Sequence, residues 1–165
     1  MALALSVPAE AMEAVRCTGR PNSDDDPTVI MGNTQSRITF EASVEEGEGI
    51  SEITLTIPEG TTFSTDDLAL TLLTGDDLMT RTEVDYALSV DGQDITFTFS
   101  PAITQAGHLN IIIYGVYFPQ GGGEMQVQAR YVSAAGEQEL DGIPVISVQG
   151  ISTTEAISQW LEAQP

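Results

Sequence analysis

The stretch ITLTIPEGTTF, from Ile53 to Phe63, and the stretch AGHLNIIIYGVYFPQGGGEMQVQARY, from Ala106 to Tyr131, decide the fold of this chain. In both, apolar and polar residues alternate along short runs that end at proline or glycine, as in half-buried β-strands closed by turns. The same pattern recurs on either side at spacings of about 8 to 12 residues, which is typical of an antiparallel β-sandwich. The sequence therefore predicts an all-β, antiparallel sandwich.

The alternation predicts eight or nine short strands, with no helical period among them. The candidate segments cover residues 38–44, 53–57, 68–73, 84–90, 95–99, 109–118, 125–131 and 143–148. Asp91 and Gly92 are predicted to form a two-residue hairpin turn, because this dipeptide tolerates positive φ. Leu109 to Phe118 is apolar on both parities, as in a central strand that is covered on both sides or meets a partner. Pro144 is expected to place the last strand at an edge.

Composition divides the chain into three parts. Residues 1–26 are predicted to be a signal-like and linker segment, because MALALSVPAEA has an apolar run with a small-x-small step and RCTGRPNSDDDP (16–27) is rich in turn formers. Residues 27–150 are predicted to form the sandwich. Residues 151–165 are predicted to form a short C-terminal boundary helix, because Ser152 and Glu155 make a capping box ahead of an apolar stripe that includes Trp160.

Charge excludes some partners. Acidic residues outnumber basic ones 25 to 5, and the formal net charge is −20. Such a surface repels phosphate backbones, so nucleic acid is not an expected partner. The five basic residues are all arginine. A sortase-assembled pilin links its subunits through a lysine amine, and an intramolecular Lys-Asn isopeptide also needs lysine, so the composition excludes both chemistries.

Catalytic residues are not predicted. His108 is the only histidine and Cys17 the only cysteine; the cysteine lies in the predicted linker, far in sequence from any base. No nucleophile elbow accompanies His108. Paired carboxylates of the kind that hydrolyse glycosides would arise by chance among 25 acidic residues. The sequence thus predicts a protein that is not an enzyme.

Calcium is the only cofactor that the sequence suggests, because carboxylates on loops are the ligands that this hard cation prefers. A solvated acidic surface explains the same clusters, and no stretch has EF-hand spacing. The candidate ligands are Asp66, Asp67, Asp76, Asp77, Asp91 and Asp94, and Asp24 to Asp26 form a further acidic run.

Aromatic residues near the glycine run Gly121 to Gly123 suggest a recognition patch for a protein or carbohydrate ligand. Core packing between two sheets is the alternative explanation. On simple alternation, Tyr114 and Phe118 share one parity of the long strand and Tyr117 lies on the other. The candidate partner-binding residues are Tyr114, Tyr117, Phe118 and Trp160. Trp160 would lie at a membrane interface if sequence beyond Pro165 anchored the chain in a membrane.

The order of turn motifs resembles that of immunoglobulin-like modules of bacterial cell-envelope proteins, over roughly residues 37 to 149. The matching residues are Pro58, Gly60 and Thr61, then Pro101 to Ile103, then Ala106 and Gly107, and finally Gly121 to Gly123. The resemblance implies an immunoglobulin-like sandwich outside the cytoplasm, on the cell surface or membrane-associated. It implies a non-catalytic role as a spacer or ligand-binding domain of a larger protein. The alternative is an accessory domain of a carbohydrate-active or other hydrolytic enzyme.

Overall fold

The computed structural model of the chain describes residues 12–21, 32, 35–47, 49–150 and 161–162. Within these ranges the chain forms β-strands joined by turns. The strands, in chain order, are β1 (Met12–Pro21), β2 (Gln35–Val44), β3 (Ile50–Thr56), β4 (Leu68–Thr74), β5 (Thr80–Thr82), β6 (Tyr86–Asp91), β7 (Asp94–Ile103), β8 (Gly107–Tyr117), β9 (Gly123–Met125), β10 (Gln128–Ser133), β11 (Gly136–Glu139) and β12 (Ile146–Val148).

Two five-stranded antiparallel sheets make up the fold. The first sheet has the order β1-β2-β8-β4-β5 and the second has the order β11-β10-β3-β7-β6. A small third sheet pairs β12 with β9. The long apolar strand β8 lies at the centre of the first sheet, between β2 and β4. The prediction of an all-β, antiparallel immunoglobulin-like sandwich is confirmed.

The core lies between the inner faces of the two sheets. Phe40 of β2 and Ile111 of β8 come from the first sheet, and Phe97 of β7 and Leu55 of β3 come from the second; all four are fully buried. On β2 every second residue from Ser36 to Val44 is buried, whereas the residues between them are partly exposed. The period-two pattern of the sequence therefore sets which face of each strand meets the core.

The predicted linker is wrong over residues 12–21. These residues form β1, which pairs antiparallel with β2 and buries Met12 and Cys17. The strand escaped prediction because a bulge between Ala14 and Arg16 interrupts its alternation. The prediction of a signal-like segment falls on residues 1–11, outside the described residues.

Smaller differences concern strand ends. The predicted strand 84–90 begins instead at Tyr86, and 125–131 is split between β9 and β10. The polar strand β11 was not predicted. The β6–β7 hairpin is confirmed, but its two turn residues are Gly92 and Gln93, because Asp91 pairs with Asp94. Gly92 has a φ of 62°, so the glycine occupies the turn position that needs positive φ.

Of the predicted C-terminal helix, the structure describes only Leu161 and Glu162. Both have helical backbone and both are exposed. The remaining residues of the segment, including Trp160, lie outside the described residues. The helix as a whole therefore stays a prediction.

Candidate functional site

The six aspartates proposed as calcium ligands do not converge. Asp66 and Asp67 precede β4, whereas Asp76 and Asp77 follow it, and a strand of this length separates its ends by about 20 Å. Asp91 and Asp94 lie at the tip of the β6–β7 hairpin, in the second sheet. Among the residues that the structure describes, no group of three acidic, histidine or cysteine side chains is placed to hold a metal ion. Asp24 to Asp26 are not described.

The aromatic candidate residues near the end of β8 do not all lie on the face of the sheet that simple alternation predicts. Gly115 has a φ of 67°, and the pairing of β8 with β2 slips at this point, so Tyr114 and Gly115 form a bulge opposite Arg37. A bulge inserts one residue and reverses the alternation beyond it. Phe118 is consequently buried in the core, while Tyr117 is 40% exposed. The prediction that Phe118 contacts a partner is wrong for this structure, and Tyr117 remains available.

The only histidine lies on the outer face of the first sheet. His108 Nδ1 is 2.6 Å from Glu41 Oε1, across the β8–β2 pair, and Arg16 Nε is 3.9 Å from Glu41 Oε2. Asn110 lies opposite Glu41, and its buried Oδ1 has no hydrogen-bond partner within the described part of the chain. Glu41 thus fixes the orientation of the imidazole ring.

Neither potential nucleophile near this histidine is arranged for catalysis. Cys17 is buried on the inner face of β1, so the sheet itself separates its thiol from His108. Burial also raises the pKa of the Cys17 thiol to about 12, which keeps it protonated at neutral pH. Ser43 pairs with His108 in the sheet, but its hydroxyl donates to the carbonyl of Glu13 at 3.5 Å.

A polar cleft of about 330 Å³ opens where β10 and the segment after β11 separate. The amide of Gln126 donates to the carbonyl of Ile143 at 2.6 Å and ties the two sides together. Glu139 and Asp141 both line the cleft. None of the lining residues is aromatic; they are Thr56, Gln126, Val127, Gln128, Ala129, Arg130, Glu139, Leu140, Asp141, Gly142 and Ile143.

Beside the cleft, a small polar network joins three strands of the second sheet. The Thr56 hydroxyl donates to Asp94 Oδ1 at 2.5 Å, and Arg130 Nη2 lies 3.4 Å from Asp94 Oδ2. The hydrogen bond from Thr56, with a smaller contribution from the Arg130 charge, lowers the pKa of Asp94 below its usual value. Arg130 also lies 3.7 Å from Glu137. This network ties β3, β7 and β10 together.

Within the described part of the chain, the strand β6 leaves apolar surface exposed. It is one of the two outer strands of the second sheet, and all of its residues are exposed. Tyr86, Leu88 and Val90 pair with Phe99, Phe97 and Ile95, which belong to the core, so their side chains lie on the core side of the sheet. They are nevertheless 37% to 47% exposed. The apolar alternation of these residues predicts a strand, but it does not indicate that the strand lies at an edge.

No protein-family model matches the sequence, and no curated protein matches it. The fold is similar to solved structures of pilins. The major pilin subunit BcpA of Bacillus cereus superposes with a TM-score of 0.55 at 10% identity, over 84% of this chain and 39% of the pilin. The full-length major pilin SpaD of Corynebacterium diphtheriae gives a TM-score of 0.53 at 10% identity, over 82% of this chain and 33% of the pilin.

These similarities show a shared β-sandwich fold. The chain spans between a third and two fifths of the length of the two pilins, so it corresponds to a part of each. Among the described residues, no helix has the length and apolar character needed to span a lipid bilayer.

Proposed function

We propose that this chain is a non-catalytic β-sandwich module of a larger bacterial envelope or membrane protein, located outside the cytoplasm, where it serves as a spacer or binds a partner. The observation that carries the proposal is the match of the sandwich to major pilin subunits of two bacteria, each over more than 80% of this chain. In those pilins the matching part is one section of a longer chain.

The chemistry of the described surface supports a non-catalytic role. The single thiol is buried on one face of the first sheet and the single imidazole lies on the other. This chain has no lysine, so it cannot supply the amine of an isopeptide. Any isopeptide between this module and a neighbour would have to take its lysine from the neighbour.

An accessory domain of a hydrolytic enzyme is the second candidate. The polar cleft supplies the observation in its favour, because Glu139 and Asp141 both line it. Sugar-binding clefts usually add aromatic faces, and this lining has none. If the domain were hydrolytic, the Glu139→Gln variant should lower the release of reducing sugar from polysaccharides. The module proposal expects no release from either protein.

The proposed location outside the cytoplasm can be tested in the cells that make the protein. An antibody raised against the sandwich should label intact cells, and external protease should remove that label. A cytoplasmic protein serves as the control for cell integrity. Labelling that appears only after the cells are made permeable would contradict the proposal.

A further inference from the structure

Three of the four outer strands of the two large sheets carry a feature that discourages pairing with another chain. The strand β1 has a bulge and carries Arg16 and Arg20, β5 has only three residues, and β11 has four residues that include Glu137 and Glu139. Short length, bulges and charges are the usual protection of sheet edges. The remaining outer strand, β6, has six residues in unbroken register with β7, lacks proline and carries a single charged residue, Asp91, at its turn end. Among the described strands it is the least protected edge.

The backbone of β6 is oriented to accept a further strand. Asp91 and Asp94 flank the two-residue turn, so they form the hydrogen-bonded pair that closes the hairpin. Hydrogen-bonded and non-hydrogen-bonded pairs then alternate along the ladder. Tyr86, Leu88 and Val90 fall in the non-hydrogen-bonded pairs, so their N–H and C=O groups point away from β7, toward the open edge.

Apolar side chains accompany these backbone groups. Of the eight large apolar side chains that are exposed in the described part of the chain, three are Tyr86, Leu88 and Val90. Because these three side chains lie at alternate positions of one strand, they form a contiguous apolar surface of the kind that docks a partner, unlike apolar residues that are exposed singly. A cleft lined by Phe63 and Val90 opens beside it. An added strand could therefore bury side chains against the core side of the sheet.

We propose that β6 binds an extended segment of a partner protein by strand addition, and that this segment has apolar residues at alternate positions and basic residues at its ends. Main-chain hydrogen bonds would supply affinity, and the apolar row would supply specificity. The basic ends follow from charge: residues 83–91 contain three acidic residues, Glu83, Asp85 and Asp91, and no basic one. The inference deepens the partner-binding role proposed above and rests on it.

A second copy of this chain fits the edge poorly. Two β6 strands that pair antiparallel around Leu88 would set Asp85 of each copy opposite Asp91 of the other. Like charges directly opposite each other destabilise a strand pair. The net charge of −20 on each chain adds long-range repulsion. Charge therefore favours a different, basic partner over self-association.

The test is a titration of the full chain with a labelled peptide of about nine residues, in which valine and threonine alternate and arginine occupies both ends. The control peptide carries glutamate at both ends. Fluorescence anisotropy should show the arginine peptide binding at least about tenfold more tightly than the control. Raising the salt from about 0.05 to 0.5 M should weaken this binding severalfold. The double substitution of Asp85→Asn and Asp91→Asn should reduce the difference in affinity between the arginine peptide and the glutamate peptide.

Two variants locate the binding at β6. Leu88→Pro removes an N–H that faces the open edge and not β7, so the sheet tolerates it while strand addition loses a donor. Leu88→Lys puts a charge into the apolar row and serves if the proline variant fails to fold. Each should weaken binding at least about tenfold. Val145→Lys is the matched control, because Val145 is also exposed and lies outside β6; it should leave binding unchanged.

Equal binding of the two peptides, or full binding by a folded Leu88 variant, would overturn the inference. Sedimentation that shows dimers broken by Leu88→Lys would also overturn it, since the occupant would then be a second copy. These results leave the envelope-module proposal intact, because the labelling of intact cells tests it separately.

Discussion

The packing of β1 is tested by the reactivity of Cys17. This thiol is 2% exposed, and burial raises its pKa from an ordinary 9.0 to about 12. Since the thiolate is the reactive form, the upward shift lowers the reactive fraction at pH 8 by about a thousandfold. Steric protection slows the reaction further. We expect a thiol reagent to label the unfolded chain within minutes and the native chain at least about a thousandfold more slowly.

The same shift makes stability depend on pH. Between pH 9 and about 12 the unfolded chain loses the thiol proton while the folded chain keeps it, so stability falls as pH rises, by about 1.4 kcal/mol per unit. The Cys17→Ala variant provides the control, because the difference between its pH profile and that of the native protein isolates the thiol. Native Cys17 that reacts as fast as the unfolded chain would show that residues 12–21 are a linker after all.

Three further substitutions test the second sheet. Gly92→Val should lower stability by about 1 kcal/mol or more in thermal melts, because a β-branched residue resists the φ of 62° at the hairpin. Tyr131→Phe removes the 2.6 Å hydrogen bond to Gln138 and should cost about 1 kcal/mol in urea titrations. Thr56→Val should raise the pKa of Asp94 in a carboxyl NMR titration. Because the folded state lowers this pKa, the ionised Asp94 carboxylate adds to the free energy of unfolding above its ordinary pKa. This contribution is lost as the pH falls through the folded pKa. An unchanged melting temperature for Gly92→Val, an unchanged free energy of unfolding for Tyr131→Phe, or an unchanged Asp94 pKa for Thr56→Val would refute the corresponding argument.

Much of the fold could be predicted because it depends on apolar alternation. The strands β2, β3, β4, β7 and β8 each place several apolar residues at alternate positions, so the sequence shows both the strand and its buried face. Strands that bury little could not be recognised in this way. The strand β11 consists of Gly136 to Glu139 without one apolar residue, and only its pairing with β10 defines it. The strand β1 was hidden by its bulge.

The candidate sites could be predicted less well, because they depend on which strands become neighbours. Carboxylates on loops suggested calcium, but the two ends of β4 keep Asp67 and Asp76 apart. Alternation placed Phe118 with Tyr114, but the bulge at Gly115 turned Phe118 into the core. The alternation of Tyr86, Leu88 and Val90 predicted a strand, whereas its edge position follows only from the order of strands in the sheet.

Residue-resolved amide hydrogen exchange of β6 tests most directly the claim that this strand is an open binding edge. In the free chain, the amides of Tyr86, Leu88 and Val90 should exchange fast, whereas those of Ala87 and Ser89, which pair with β7, should exchange slowly. Addition of the arginine-flanked peptide should slow exchange at Leu88 and Val90. Slow exchange of all these amides in the free chain would mean that the edge is already covered and would contradict the account.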